Sequence, residues 1–249
     1  MLKRRAAPGA RSDCCAIAVM AKGSEPGRTK TRLCPPLTPP EAAAFNTAFL
    51  RDIDANLAAA GAETELARFM AFGPPESLPF FEDLVAPEVG LIETWLPNFG
   101  ACLAHAIETL LDLGYGGACV LNSDSPTLPT AALVAAARSL RGPGARIVFG
   151  PATDGGYYLL GMQQCHRRLF EDIDWSTPLV AAQTLQRAAE LGLQTIMLPT
   201  WYDVDDAAAL RTLAGETLRG RPFSAQYDSF AAPHAAALLR TQGLRAHSP

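Results

Sequence analysis

The stretch Ala118-Cys119-Val120-Leu121-Asn122-Ser123-Asp124-Ser125-Pro126 places a short apolar run directly before a polar turn. The apolar residues predict a buried strand, and the Asp-Ser-Pro sequence predicts a turn that ends it. Apolar runs that read as strands also occur at Ala16–Met20 and Gln194–Leu198, each followed by a polar loop. Because helical patterns separate these strands, the sequence predicts an α/β fold with a mostly parallel sheet.

The remaining elements follow from periodicity and capping signals. The capping box Thr38-Pro39-Pro40-Glu41 predicts a helix that runs to about Ala60 and stops at Gly61. Further strands are expected at 65–72, Gly90–Glu93, Arg146–Phe149 and Tyr157–Leu160. Further helices are expected at about Ala101–Leu113, 130–140, Thr177–Leu191 with Ser176 as cap, Asp205 or Asp206 to Leu213, and His234–Arg240.

Composition bounds the class of protein. Of 249 residues, 49% are hydrophobic and 18% charged, which predicts a soluble globular protein rather than a disordered one. No run approaches the ~18 apolar residues of a membrane span. The net charge of −4 argues against a nucleic-acid partner. Six cysteines without paired spacing predict reduced thiols in the cytoplasm, and the sequence leaves the oligomeric state open.

Positive charge is concentrated at the start of the chain. Residues 1–32 hold eight basic and two acidic side chains. Residues 1–12 are expected to form a disordered basic tail, because Lys22 and further bases stand where a signal peptide would have its cleavage site. Residues 13–249 are expected to form one domain, with 214–249 as a C-terminal helical extension.

The first polar loop, Ala21–Leu33, combines two glycines with four cations. Glycine lets backbone approach a ligand, and Lys22, Arg28, Lys30 and Arg32 are suited to phosphate oxygens. The loop matches neither GxGxxG nor GxxxxGK[ST], which disfavours a Rossmann site and a P-loop. A solvated basic turn is the alternative interpretation.

Acidic residues follow three later strands. Asp124 is suited to a hard cation such as Mg²⁺ or Mn²⁺, or to an Asx turn that starts the next helix. Asp203 and Asp205 would share a face of an extended backbone, whereas Asp205 and Asp206 are also helix-cap candidates. Asp154-Gly155-Gly156 predicts either close approach to a ligand or a plain hairpin turn.

Electrostatics connects these loops. Two like charges 4 Å apart repel by about 4 kcal/mol at an effective dielectric of 20. Asp124 and Asp205 facing a diphosphate therefore need a bridging cation, supported by Lys22, Lys30 and Arg32. The combination predicts a metal-nucleotide site in which Mg²⁺ or Mn²⁺ stabilises a leaving phosphate or diphosphate.

Five motifs resemble a known bacterial family. AKGSEPGRTKTRL, NSDSPTLP, GPATDGGYYLLG, FEDIDWSTP and WYDVDDAAAL are similar, in order, to the glycosyltransferase-A-fold nucleotide-diphospho-sugar transferases. The branch associated with arsenosugar biosynthesis is the most similar, and phospholactate and molybdenum-cofactor guanylyltransferases are more distant. The resemblance implies a three-layer αβα sandwich with a mostly parallel central sheet.

The resemblance also implies roles for individual residues. Asp124 and Asp205, or Asp203, match metal ligands; Asp154 and Lys30 are the catalytic candidates. Nucleotide or phosphate binding is expected at Ala21, Lys22, Gly27, Lys30, Arg32, Asn98, Gly100 and Ser123, and substrate binding at Gly155 and Gly156. From the residues themselves, Trp175 and Ser176 offer substrate an aromatic plate and a hydroxyl at a helix start, and a packed Trp beside an N-cap serine is the alternative interpretation. The family's Gln-x-Gly-x-Asp-Leu-Gly-x-Arg stretch departs here, because Cys102, Ala104 and Ala106 replace its Asp, Gly and Arg.

Three functions remain open on the sequence. The first is metal-dependent glycosyl transfer from a nucleoside-diphosphate sugar to a small-molecule acceptor. The second is nucleotidyl transfer, in which an NTP joins a phosphorylated small molecule and pyrophosphate leaves. The third is non-catalytic binding of a nucleotide sugar, which the altered stretch at 98–106 suggests.

Overall fold

The computed structural model describes residues 1–6, 11–142 and 144–241. Its centre is an eight-stranded sheet in the order β1-β4-β3-β2-β5-β7-β6-β8. The strands are β1 Leu2–Arg4, β2 Cys15–Ala21, β3 Leu66–Phe72, β4 Gly90–Glu93, β5 Gly117–Leu121, β6 Arg146–Pro151, β7 Tyr157–Met162 and β8 Gln194–Met197. β1 and β7 are antiparallel to their neighbours, and the other six strands run in one direction, as the sequence predicts.

Helices cover both faces of the sheet. They are α1 Pro39–Glu63, α2 Leu78–Leu84, α3 Phe99–Asp112, α4 Thr130–Ser139, α5 Val180–Glu190, α6 Ala207–Arg219 and α7 Pro233–Thr241. Along β2, Ile17 and Val19 pack with α1, α2, α4, α6 and α7, whereas Ala16 and Ala18 pack with α3 and α5. This alternation of period two buries the strand on both faces. None of the helices in the described ranges is long and apolar enough to cross a membrane.

The start of the chain differs from the expected disordered tail. Leu2–Arg4 pairs with β4 as an edge strand, and the Arg4 guanidinium donates to the Val89 and Ala86 carbonyls. The Lys3 ammonium forms an ion pair with Glu93 at 2.9 Å. The basic side chains that suggested a solvated tail therefore anchor the strand. Residues 7–10 of the expected tail lie outside the described part of the chain.

Several helix boundaries also differ from the expected ones. The Thr38 capping box is present, since the Glu41 carboxylate accepts the Thr38 N–H at 2.7 Å, but α1 continues past Gly61 to Glu63. α2 was not expected, because prolines surround its seven residues. α5 begins at Val180, since Ser176 has φ of 65° and is not its cap.

The described part of the C-terminal region, residues 214–241, packs on the rest of the domain. Residues 214–219 complete α6, and α7 packs on α1. The buried Asp52 carboxylate of α1 accepts the His234 and Ala235 N–H groups at 2.9 and 2.8 Å, which caps α7. Residues 242–249 of the expected extension lie outside the described residues.

Candidate active site

A cleft of about 770 Å³ lies at the carboxyl ends of the parallel strands. The chain leaves β2 for β3 and β4, then returns to β5 on the other side of β2, which makes β2/β5 a topological switch point. Open α/β sheets bind ligands at such points. The loops after β2, β5 and β8 all contribute side chains to this cleft.

Lys30 occupies the centre of the cleft. Its ammonium donates to Asp124 Oδ1 at 2.7 Å, to Asp205 Oδ1 at 2.8 Å and to the Val204 carbonyl at 2.9 Å. The Lys30 side chain is only 6% exposed, and it lies over the ring of Phe49 at 5.5 Å. Lys30 also has φ of 53°, a left-handed conformation that this network holds in place. Residues 30, 124 and 205, distant in sequence, therefore form one charge cluster.

The Lys30 ammonium is held in its charged form. Burial lowers the pKa of Lys30, but the charges of Asp124 and Asp205 and their hydrogen bonds outweigh burial, so the pKa is raised. Lys30 therefore serves as a cation at neutral pH rather than as a base. Arg32, largely exposed, adds a longer contact of 3.9 Å to Asp205 Oδ2.

Around Lys30, carboxylates outnumber the cations that contact them. Asp124, Asp154, Asp203 and Asp205 line the same cleft and are called the acidic cluster below. Burial first, and then the charges of Asp154, Asp205 and Asp124, raise the pKa of Asp203 to about 7. Two members of the acidic cluster, Asp124 and Asp205, have ion pairs within the described residues, with Lys30 and Arg32.

Asp154 and Asp203 have no ion pair within the described residues, although Asp203 lies near Asp124 and Asp205, and this is the observation that fits a divalent cation. Among the residues that the structure describes, no three His, Cys, Asp or Glu side chains already converge as a metal cage. However, Asp124 Oδ1 and Asp205 Oδ1 both accept hydrogen bonds from the Lys30 ammonium, so a metal ion bound by this pair would lie beside that ammonium or take its place. Carboxylate oxygens are the ligands that Mg²⁺ and Mn²⁺ prefer. The donor set therefore suits a hard cation that keeps part of its water shell.

The basic loop, residues Ala21–Leu33, forms one wall of the cleft. The Thr29 hydroxyl donates to the Gly23 carbonyl at 2.8 Å and accepts the Glu25 N–H at 3.1 Å, which folds the loop on itself. The buried Asn46 amide of α1 donates to the Lys22 carbonyl at 3.1 Å and to Ser24 Oγ at 2.9 Å. These bonds fix the loop backbone, so the backbone from which Lys22 and its neighbouring cations extend is held in place.

The turn at 152–156 closes the β6–β7 hairpin beside the cleft. Asp154 Oδ1 accepts the Gly156 N–H at 2.8 Å, so the simple turn interpretation is correct for the backbone. Asp154 is nevertheless exposed and lines the cleft. Gly155 has φ of 90°, and a Cβ there would lie 2.3 Å from the Pro178 carbonyl oxygen, which explains the glycine.

The opposite wall is aromatic. Trp95, Phe99 and Trp175, called the aromatic wall below, line the cleft, and Phe99 meets Trp175 edge to face at 5.2 Å. Trp95 is 59% and Phe99 51% exposed. The Trp95 ring packs on Gly73, where a Cβ would fall 2.6 Å from Cε3. Two large rings held open to solvent in a cleft form a surface suited to a ligand.

The structure brings most of the predicted site residues into this cleft. Its lining includes Ala21, Lys22, Lys30, Arg32, Asn98, Ser123, Asp124, Asp154, Gly156, Trp175, Ser176, Asp203 and Asp205. Gly27, Gly100 and Gly155 are not part of the lining. Asn98 Oδ1 caps α3 by accepting the Ala101 N–H at 2.8 Å. Gly100 has a packing role, because a Cβ there would lie 2.6 Å from the Phe170 carbonyl oxygen.

Sequence reasoning missed three features of the cleft. Asn46 lies within the α1 helical pattern and carries no signal for its contact with the loop. Trp95 and Phe99 stand in an irregular Pro- and Gly-rich segment, where aromatic residues between a strand and a helix are the only hint. The missed residues all make contacts across distant segments, which periodicity does not report.

Comparisons with known proteins agree with this fold. Residues 56–177 match the model of a family described as uncharacterised protein conserved in bacteria (DUF2064). A candidate nucleotide-diphospho-sugar transferase from Desulfovibrio desulfuricans G20 is similar over 92% of this chain and 95% of that chain, with a TM-score of 0.77 and 25% identity. No protein in the curated set matches the sequence.

Two other solved structures are similar at lower identity. A cytidylyltransferase from Leptospira borgpetersenii serovar Hardjo-bovis (strain JB197) covers 94% of this chain and 98% of its own, with a TM-score of 0.53 and 11% identity. A CMP:2-keto-3-deoxy-manno-octonic acid synthetase complexed with CTP covers 83% and 99%, with a TM-score of 0.51 and 11% identity. The predicted fold, that of the nucleotide-diphospho-sugar transferases, is confirmed.

Proposed function

We propose that the protein is a transferase that moves a glycosyl group from a nucleoside-diphosphate sugar to a small-molecule acceptor. The observation that carries the proposal is the buried Lys30 ammonium between Asp124 and Asp205 at the switch point of the sheet. The similar structures are described as nucleotide-sugar and cytidylyl transferases, which supports a transferase of nucleotide-activated substrates.

The residues divide into three roles. Lys22, Lys30 and Arg32 bind the diphosphate and neutralise the charge that leaves with it. Asp124 and Asp205, with Asp203 nearby, are the residues that would hold Mg²⁺ or Mn²⁺, and the bound ion would supply further charge stabilisation to the diphosphate. Asp154 receives the proton of the acceptor hydroxyl, since its carboxylate is exposed to the cleft.

The transfer balances with these groups. The acceptor oxygen forms a bond to the anomeric carbon, and the bond from that carbon to the diphosphate breaks. The nucleoside diphosphate leaves with the electron pair, and the acceptor proton passes to the Asp154 carboxylate. Asp154 Oδ1 is already committed to the Gly156 N–H, so Oδ2 is the proton-accepting atom.

Nucleotidyl transfer is the second candidate. The basic loop carries four cations, and a triphosphate requires more positive charge than a diphosphate sugar. In that reaction a phosphorylated acceptor attacks the α-phosphate and pyrophosphate leaves. The released product separates the two reactions. The specific kinship to arsenosugar-type transferases and to guanylyltransferases stays a prediction.

A thermal-shift screen tests the proposal. UDP-, GDP-, ADP-, CDP- and TDP-sugars and the matching NTPs are each added with and without Mn²⁺, since a ligand that binds the native state raises Tm. We expect a Mn²⁺-dependent shift with one nucleotide sugar, and loss of the Mn²⁺ dependence in Asp124→Ala. A shift with an NTP alone favours nucleotidyl transfer, and no shift with any nucleotide contradicts the metal-nucleotide site.

A further inference from the structure

The cations among the described lining residues all come from one loop. Among the described lining residues, the basic side chains are Lys22, Arg28, Lys30 and Arg32, and each belongs to the basic loop. Lys30 is already paired with two carboxylates. The positive charge therefore suffices for one cluster of phosphates, at the switch point.

The segments that follow β6 and β7 contribute no cation to the described lining of the cleft. The turn that carries Asp154 contacts the segment that carries Trp175, because the Ala181 N–H donates to the Gly155 carbonyl at 2.9 Å and Gly155 packs on Pro178. Trp175 in turn meets Phe99. The lining around this end is aromatic, hydroxyl-bearing or acidic, with Ser176 and Thr177 beside Asp154. A phosphate held against these segments would face the Asp154 carboxylate, and the same segments offer it no cation in the described lining.

We infer that the acceptor is an uncharged alcohol with a flat or apolar ring face, which stacks on the aromatic wall. This inference rests on the proposed function and specifies its acceptor. Aromatic side chains bind rings by stacking and by contact with apolar C–H faces, and neither contact needs a charge. The stacked ring presents its hydroxyl to Asp154, and Ser176 and Thr177 supply hydroxyls for orientation. The same geometry disfavours the nucleotidyl transfer described above, in which the acceptor is phosphorylated.

The three tryptophans of the chain provide the measurement. Trp95 and Trp175 belong to the aromatic wall, whereas Trp201 is fully buried, is bonded to Thr127 and is not part of the cleft lining. Protein labelled with 5-fluorotryptophan gives three ¹⁹F resonances, assigned by single Trp→Phe variants. Trp201 then serves as an internal reference in every titration.

Matched probes separate ring binding from phosphate binding. Methyl β-D-glucopyranoside is compared with glucose 6-phosphate, and benzyl alcohol with phenyl phosphate, with and without Mg²⁺ and a nucleoside diphosphate. We expect the uncharged member of each pair to shift the Trp95 and Trp175 resonances but not that of Trp201. The phosphorylated member should bind to this wall at least tenfold more weakly.

Variants complete the test. Phe99→Ala and Trp95→Ala are expected to weaken binding of the uncharged rings about tenfold. Phe223→Ala removes an exposed ring that packs on Trp201 outside the cleft, and should leave this affinity unchanged. Both wall residues are more than half exposed, so the variants keep the core intact.

Several outcomes overturn the inference. One is equal or tighter binding of the phosphorylated probes to the wall, and another is no shift of Trp95 and Trp175 with any uncharged ring. A third is that the nucleoside diphosphate alone shifts both resonances and excludes the rings, which assigns the wall to the nucleobase. If the thermal-shift screen finds a nucleotide sugar, these outcomes remove the acceptor class but leave the proposed function standing.

Discussion

At the scale of single residues, Lys30 is the most consequential side chain. It connects the loop after β2 with the loops after β5 and β8 through three hydrogen bonds. Without its ammonium, two partly buried carboxylates would face each other with no cation between them. Removing one partner of a buried ion pair costs several kcal/mol, and the one-third exposure of the aspartates reduces that cost here.

We therefore predict that Lys30→Met lowers the free energy of unfolding by about 2 kcal/mol in metal-free buffer. Added Mn²⁺ should restore part of the loss, because a cation again lies between the carboxylates. Urea unfolding with EDTA and with Mn²⁺ measures both effects.

Lys22→Met is the matched control for this variant. Lys22 lies in the same loop, is exposed, and has no ion pair within the described residues. Its replacement should change stability by less than about 0.5 kcal/mol. Equal losses in the two variants would show that Lys30 contributes only as a loop residue.

At the scale of elements, α7 is attached to α1 through one carboxylate. Burial raises the pKa of Asp52, although the His234 and Ala235 N–H groups and the charge of His234 act in the opposite direction. A carboxyl whose pKa is higher in the folded protein stabilises the fold fully below its unfolded value of about 3.9. That contribution is lost as pH rises through the folded pKa.

This linkage predicts the pH dependence of Asp52→Asn. The stability of the wild-type protein relative to the variant should fall as pH rises from about 4, since asparagine does not titrate. Urea unfolding at several pH values measures this slope, with the same pair compared in a His234→Gln background. A difference in the free energy of unfolding that does not change with pH would mean that Asp52 has an ordinary pKa.

Glu41 supplies a control in which the pKa shift has the opposite sign. The Thr38 N–H lowers the pKa of this exposed carboxyl, so its contribution is present above its unfolded value and lost as pH falls through the folded pKa. In Glu41→Gln the difference from wild type should therefore shrink at low pH. Slopes of the same sign in both variants would point to a general effect of net charge.

At the scale of the whole molecule, stability is expected to fall from the centre of the sheet to its edges. β2 is paired on both sides and nearly all of its residues are buried, and β5 is buried throughout. β8 has exposed residues at both ends and two half-buried residues between them, and β1 has only three residues at the other edge. Amides in well-covered strands exchange only through global opening.

Native-state hydrogen exchange should show this order. Amides of Cys15–Ala21 and Gly117–Leu121 are expected to exchange with the free energy of global unfolding, and those of Leu2–Arg4 and Gln194–Met197 with lower values. Denaturant dependence of exchange, followed by mass spectrometry, separates the two groups. Edge strands as protected as β2 would indicate that the sheet opens as one unit.

The sequence predicted what is local. The apolar run before Asp124 and the glycines around Asp154 placed both acids at strand ends, and the capping box placed the start of α1. β1 was not predicted, because its lysine and arginine resemble a solvated tail until β4 supplies the edge that they bind. α2 was not predicted, because seven residues bounded by prolines show no helical period.

The sequence predicts which residues belong to the site but not how they are arranged. Charge arithmetic grouped Lys30 with Asp124 and Asp205, yet the contact joins residues 175 positions apart, which only the sheet order specifies. Phe99 begins a helix and is apolar, so its exposure depends on the Trp175 segment packing beside it. Long-range packing of this kind decides which face of an element a ligand meets.

Because Lys30 is buried, its rate of chemical modification reports whether a ligand occupies the cleft. Its amines are those of Lys3, Lys22 and Lys30 and the chain terminus, so acylated peptides are simple to resolve. A charged, enclosed ammonium is a poor nucleophile, whereas Lys22 is open to reagent. Acylation should therefore mark Lys22 early and Lys30 late. A ligand that draws Lys30 away from the aspartates, or covers Lys22, would alter that ratio without any assay of turnover.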